Sequence, residues 1–354
     1  MKQPVLLSII GIVCLLKVNA VDSKEPAPLV LVPRPTHVFK TADRSHENTD
    51  SWIFSLMVQT DTPEKITPLA MKVTLLRKSQ ILSSTSYTAE GLKALVYQTS
   101  AQPKLADGSI PPKPIFWPAA LRIRHTGPAD LAVDAMRVEV DATTGEGQTR
   151  HGMEIVPVET YQQKTALSCP FRGKGIILQA GATNGGHRNR SGQFAVDLFG
   201  LDESWSIMAP GDGKQNGDYR GWERELIAPA NGVVVHARDD RPDQPVGDTS
   251  DAQYYAPEYK QGGDPGNFLV IDHGHSEFSM IAHFEAHSML VKPGDHVRQG
   301  QALGKLGHSG DTSGPHCHYQ LQSGPDWENA DGLPFKFTNV DEPFLDRGTY
   351  FDAK

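Results

Sequence analysis

Apolar residues in the first half of the chain recur in short runs with a period of two, separated by turn-forming clusters. Met71, Val73 and Leu75 alternate with Lys72 and Thr74, and residues 52–59 form a second apolar run. Residues 120–124, 135–140 and 153–158 are further strand candidates, and turns are signalled at Thr126-Gly127-Pro128 and at Thr143-Thr144-Gly145-Glu146-Gly147. Alternation of this kind predicts half-buried strands. One short helix is expected within 87–97. With no long amphipathic helix, residues 21–165 are expected to form a small β-sandwich-like domain. Glycine-punctuated strands continue in a second domain, residues 166–354, with candidates at 176–179, 194–198, 232–237, 267–272, 278–283 and 316–321. A polar, acid-rich segment between Arg238 and Gly266 reads as a surface loop. The expected fold class is all-β throughout.

Composition sharpens this picture in three places. Glycine (33) and proline (26) suit short strands and many turns. The net charge of −8 argues against a nucleic-acid partner, since no global basic field is present. The excess acid lies in the second half, where residues 166–354 hold 16 basic and 26 acidic side chains and ten of the fourteen histidines. The first twenty residues read as a cleavable export signal: Lys2, an apolar run over 5–16, then Val18-Asn19-Ala20. The run is shorter than the ~20 residues of a membrane span, and Cys14 lacks the small residues that precede a lipidated cysteine. A secreted or periplasmic location is therefore expected, with no stable membrane span after cleavage. Cys169 and Cys317 remain in the mature chain, either as one disulfide or as two buried thiols.

The densest chemical signal is Gly307-His308-Ser309-Gly310-Asp311-Thr312-Ser313-Gly314-Pro315-His316-Cys317-His318. On a strand, positions i and i+2 emerge on one face, about 6.5 Å apart. His316 and His318 then share a face while Cys317 points into the opposite layer. One imidazole can bind a metal while its neighbour reaches a water on that metal. By itself His-x-His is a weak signal and equally describes a satisfied surface pair.

Its surroundings add to it. Ala228-Pro229-Ala230-Asn231-Gly232-Val233-Val234, Gly266-Asn267-Phe268-Leu269-Val270-Ile271-Asp272-His273-Gly274, Met280-Ile281-Ala282-His283-Phe284, Val291-Lys292-Pro293-Gly294-Asp295-His296-Val297 and Gly300-Gln301 precede the His-Cys-His block in order. In these landmarks the C-terminal half resembles the M23 peptidases, the lysostaphin-like zinc endopeptidases. The resemblance implies an antiparallel β-sheet/barrel-sandwich-hybrid peptidase domain with one zinc ion per chain. It further implies His187, Asp197 and His318 as metal ligands and His283 and His316 as catalytic imidazoles. Two departures stand out. The family's usual His-x-x-x-Asp spacing would put the first histidine at 193, where this chain has Gln193, so His187 must reach the metal across a longer loop. Met280 replaces an aromatic residue often found before the catalytic histidine.

His273, His275, His287, His296 and His308 read as loop or supporting histidines. Trp205, Tyr219, Trp222, Tyr254, Tyr255 and Trp327 either line a groove or simply pack, and Asn184 and Asn267 either position substrate or fix turns. The expected function is zinc-assisted hydrolysis of peptide bonds by an exported endopeptidase. The resemblance implies peptidoglycan stem peptides or cross-bridges as substrate, with a protein substrate as the alternative. The N-terminal domain would position the enzyme or bind a protein partner. The rival reading is an inactive envelope adaptor, which would have lost several of the five site residues.

Overall fold

The computed structural model describes residues 27–34, 36–42, 49–61, 64–98, 119–145, 147–180, 187, 190–247, 264–341 and 345–354. The expected export signal, Asn184, Tyr254 and Tyr255 lie outside the described residues. Nine strands make the first sheet: β1 (Val30–Arg34), β2 (Val38–Ala42), β3 (Thr49–Gln59), β4 (Ile66–Arg77), β5 (Gln80–Thr88), β6 (Val96–Gln98), β7 (Ala119–Pro128), β8 (Ala135–Thr144) and β9 (Thr149–Glu159). A single helical turn, α1 (Ala89–Lys93), follows β5, and the Thr88 hydroxyl caps it by accepting from the Gly91 N–H. Strand order is β5-β4-β8-β9-β2-β3-β7-β6, with β1 also paired to β3. Every pairing is antiparallel except the short β2–β9 ladder, which joins the two halves of the sheet.

Period-two burial explains the core. On β8, Met136, Val138, Val140 and Ala142 are buried while Arg137, Glu139 and Asp141 are half-exposed. They meet Trp52, Phe54, Leu56 and Val58 of β3, Met71, Val73 and Leu75 of β4, and Leu121 and Ile123 of β7 in one apolar cluster. Both halves of the sheet therefore enclose a common core, as a sandwich-like unit requires.

The second sheet comprises β10 (Gly173–Ala180), β11 (Val196–Gly200), β13 (Gly232–Arg238), β14 (Phe268–Asp272), β15 (Phe278–Ala282), β16 (His296–Val297), β18 (Cys317–Gln322), β19 (Gly332–Leu333) and β20 (Tyr350–Ala353). A separate ribbon pairs β12 (Glu225–Ile227) with β17 (Ala302–Lys305). The order β16-β13-β14-β15-β18-β11-β10-β20 is antiparallel at every step, with β19 added beside β18. Val196, Leu198, Leu269, Ile271, Ile281, Cys317, Tyr319 and Leu321 point into the main core with Leu226, Leu303 and Leu306. The alternate residues, among them Asp197, Met280, Ala282, His318 and Gln320, consequently share the other face.

One strand expectation is corrected. Residues 194–198 do not start as a strand, because Ser191–Phe194 form a 3-10 turn and β11 begins only at Val196. Phe194 is buried there against Phe39 of β2, whose ring also meets Tyr161. The connecting residues are clamped onto the second sheet by the buried Glu277 carboxylate. It accepts from the Tyr161 hydroxyl, from the Lys164 N–H at 2.6 Å and from the Thr165 N–H at 2.7 Å. Cys169 and Cys317 are both free thiols in the core. Among the described residues, no helix is long and apolar enough to cross a membrane.

Candidate active site

The register of β11 against β18 sets Asp197 directly opposite His318. Both side chains emerge on the face away from the core, and the Asp197 Oδ1 lies 3.1 Å from His318 Nδ1. His187 approaches the same oxygen, its Nε2 at 3.1 Å, and its ring stands edge-on to that of His318 with centroids 4.5 Å apart. These three residues form the one grouping of potential ligand atoms close enough to share an ion among the described residues. Metal–ligand bonds of 2.0–2.1 Å at tetrahedral angles separate donors by about 3.3 Å, so the spacing and the N, N, O donor set fit a zinc-sized cation. The His187 carbonyl is held from the first sheet, by Arg122 of β7 through Nη1 at 3.0 Å.

His283 and His316 flank this triangle. β15 ends at Ala282, opposite His318, and the chain turns at His283 with φ of +67°. Its Nδ1–H donates to the Ser309 carbonyl at 2.7 Å, leaving Nε2 as the free ring nitrogen. That carbonyl is presented by a backbone-to-backbone contact in which Gly266 (φ +60°) packs on Ser309, leaving no room for a Cβ: one added to Gly266 would lie 2.2 Å from the Ser309 oxygen. His316 is fixed in the same way. Its Nδ1–H lies 2.9 Å from both the Gly314 carbonyl and the Thr312 hydroxyl oxygen, and its ring stacks on Phe199 at 4.8 Å and 13°. The His316 Nε2 faces Asp197 Oδ1 at 3.4 Å, and the His283 and His316 centroids are 4.7 Å apart. As expected of i and i+2 positions, His316 and His318 reach one side while Cys317 enters the core.

Burial shapes the ionisation of the cluster. It lowers the pKa of His187, outweighing the attraction of Asp197, and it lowers that of His283 strongly, helped by the neighbouring His316 and His318. His316 is raised: burial acts against its charged form, but Asp197 and the Gly314 carbonyl prevail. Asp197 is held well below the ordinary carboxylate range because the surrounding imidazoles overcome the burial that would raise it.

Two of the other histidines, His273 and His308, have structural partners. His273 bonds the Asn231 carbonyl and the Ser279 hydroxyl, each at 2.8 Å, and His308 bonds Asn216 at 2.7 Å. Asn267 fixes a turn: it accepts from the Arg241 N–H and donates to the Arg241 and Phe284 carbonyls. Acids of the 238–266 segment do likewise, Asp243 accepting from the Ala286 and His308 N–H groups. Trp205 packs edge-on against Tyr350, away from any such cluster. Trp327, in contrast, joins Phe268, Val270, Met280 and Ala282 in an apolar patch on the face that carries His318. Gln193 is buried in the 3-10 turn, and it is His187 that reaches Asp197. Residues beyond the sequence reading also contribute: Ser309, Thr312, Phe199, Arg122 and the glutamines that follow His318. Thr312 and Ser309 were within the small-residue run, but only the folded backbone shows which of their atoms face a ring.

Residues 219–330 match Peptidase family M23. This part of the C-terminal half is similar to that family. The matched stretch contains His283, His316 and His318, whereas His187 and Asp197 precede it. Two Vibrio cholerae proteins, the peptidoglycan DD-endopeptidases ShyA and ShyC, are 41% and 39% identical to the chain over 56 residues, 16% of its length. That stretch spans only 13% and 12% of the relatives' own lengths. Among solved structures, the catalytic domain of lysostaphin from Staphylococcus simulans aligns at 18% identity over 46% of this chain and 88% of its own, with a TM-score of 0.27. A zinc-containing peptidase from Vibrio cholerae aligns at 11% identity over 87% and 85%, with a TM-score of 0.29.

Proposed function

We propose that the protein is an exported zinc metalloendopeptidase that hydrolyses peptide bonds in peptidoglycan stem peptides or cross-bridges. The observation that carries this reading is the convergence of four imidazoles and one carboxylate, drawn from distant parts of the chain, on one face of the second sheet. His187, Asp197 and His318 would hold one zinc ion; three protein donors are the number found in catalytic rather than structural zinc sites. A zinc ion held there would supply Lewis acidity, the chemistry that polarises a carbonyl and makes water a nucleophile at neutral pH. His283 and His316 present Nε2 atoms whose partner nitrogens are already committed to carbonyls, so each can take or return a proton at that one atom. Held on backbone carbonyls and on Phe199, both rings are oriented before substrate arrives. The apolar patch around Met280 and Trp327 would seat the peptide beside them.

The substrate class is supported by the similarity to the peptidoglycan DD-endopeptidases ShyA and ShyC, and export by the N-terminal pattern of Lys2 and its apolar run. The N-terminal sheet would position the enzyme or bind a protein partner. The test is digestion of defined peptidoglycan and of a casein-like protein by zinc-loaded mature enzyme, with mass analysis of new amino ends. The reading expects new ends in the wall peptides. Cleavage of casein alone would redirect the substrate assignment, and cleavage of neither would overturn the enzymatic reading.

A further inference from the structure

We propose that Gln320 is a positioning residue that fixes the ring orientation and tautomer of His318, with Gln322 and the Gly324 carbonyl setting the direction of the relay. The inference rests on the zinc reading above and extends it to residues outside the five-residue cluster.

His318, Gln320 and Gln322 occupy alternate positions of β18 and therefore one face, and all three are buried. A row of buried amides on a strand is costly unless each polar atom is paired. Here the pairing is continuous. Gln322 Nε2 donates to the Gly324 carbonyl at 2.7 Å, Gln320 Nε2 donates to Gln322 Oε1 at 2.5 Å, and His318 Nε2 lies 2.9 Å from Gln320 Oε1.

The far end sets the polarity. A backbone carbonyl can only accept, so the Gln322 amide nitrogen must face Gly324 and its oxygen must face Gln320. That oxygen requires the Gln320 nitrogen opposite it, which turns the Gln320 oxygen toward the imidazole. An oxygen there requires a proton on His318 Nε2. The neutral ring then carries its lone pair on Nδ1, the atom that faces Asp197 Oδ1 at 3.1 Å. Two acceptors at that distance are compatible only with a positive charge between them or a second proton on the ring. The relay thus prepares the nitrogen that a cation would use, as hydrogen-bonded partners of metal-binding histidines commonly do.

The test uses the full mature chain, with zinc affinity measured by chelator competition and unfolding temperature measured alongside. Gln320→Leu keeps the size and removes the acceptor; zinc binding is expected to weaken about 10- to 100-fold. Gln320→Glu retains an oxygen toward Nε2 while losing the donor to Gln322, and is expected to lose clearly less affinity than Gln320→Leu. Gln322→Leu frees Gln320 to turn and should give an intermediate loss. Imidazole nitrogen shifts of His318 in the zinc-free protein should report a protonated Nε2 before substitution and a mixture of tautomers in Gln320→Leu. Equal affinity losses in Gln320→Leu and Gln320→Glu, or a loss of unfolding temperature with unchanged affinity, would overturn the proposal in favour of simple packing. If the unaltered chain binds no zinc, the metal reading fails, and the nitrogen shifts still decide the relay: a neutral ring protonated on Nδ1 contradicts it.

Discussion

Replacing Glu277 by glutamine tests how the two sheets are tied together. The carboxylate is 1% exposed and takes three donors from the connecting residues: the Tyr161 hydroxyl, the Lys164 N–H and the Thr165 N–H. Glutamine keeps one acceptor oxygen, so its amide nitrogen must face one of those donors. One charge-assisted hydrogen bond is lost, worth about 1.5–3 kcal/mol, and a buried donor is stranded at about 1–3 kcal/mol more, with partial relaxation bringing the sum to about 3 kcal/mol. For a unit of this size that corresponds to a fall of about 6–12 °C in unfolding temperature. The pH dependence follows from the carboxyl itself. Burial would raise its pKa, but the hydrogen bonds from Thr165, Tyr161 and Lys164 outweigh burial and lower it. A lowered folded-state value contributes stability that is fully present above the ordinary glutamate range and is lost as the pH falls through the folded value. Urea unfolding followed by tryptophan fluorescence should therefore show a gap between Glu277→Gln and the unaltered chain at pH 7 that closes on acidification below about pH 4. A gap under about 0.5 kcal/mol at pH 7, or one that is constant with pH, would refute the clamp.

His318→Ala should abolish stoichiometric zinc binding, whereas His283→Ala and His316→Ala should retain the metal and lose about 10²–10⁴-fold in turnover; metal analysis beside peptide hydrolysis checks both. Gly266→Ala forces a Cβ against the Ser309 backbone at positive φ and should cost about 1–3 kcal/mol in chemical unfolding, while slowing turnover through the displaced partner of His283. Arg122→Ala removes the donor to the His187 carbonyl and should weaken zinc binding about three- to tenfold by chelator competition, with His318 unaffected. Cys169 and Cys317 should react with a thiol reagent only after unfolding. Both are fully buried, and burial pushes the Cys169 thiol up to about 12.

What could be seen in the sequence depended on how directly a residue type reports its surroundings. Met136, Val138 and Val140 alternate with charged neighbours, so β8 was visible from its period alone. β5 was not, because its Ser- and Thr-rich stretch is exposed almost throughout and carries no apolar period. The shared face of His316 and His318 followed from strand geometry, and the free thiols resolve the choice left open for Cys169 and Cys317. The approach of His187 to Asp197 needed a resemblance, since a ten-residue separation across a loop has no periodicity to read. Gln320 and Gln322 carry no signal in the sequence, and only their burial and pairing reveal a relay. The 3-10 turn before β11 depends on Phe194 meeting Phe39 from the other sheet, a long-range contact that local propensity does not encode.

The central claim is that His187, Asp197 and His318 share one hydrolytic cation, and diffraction from zinc-loaded crystals on both sides of the zinc absorption edge tests it most directly. The account predicts one strong anomalous peak per chain, bonded to His187 Nε2, an Asp197 carboxylate oxygen and His318 Nδ1. A peak coordinated without His187, or none at that face of the sheet under saturating zinc, would contradict it.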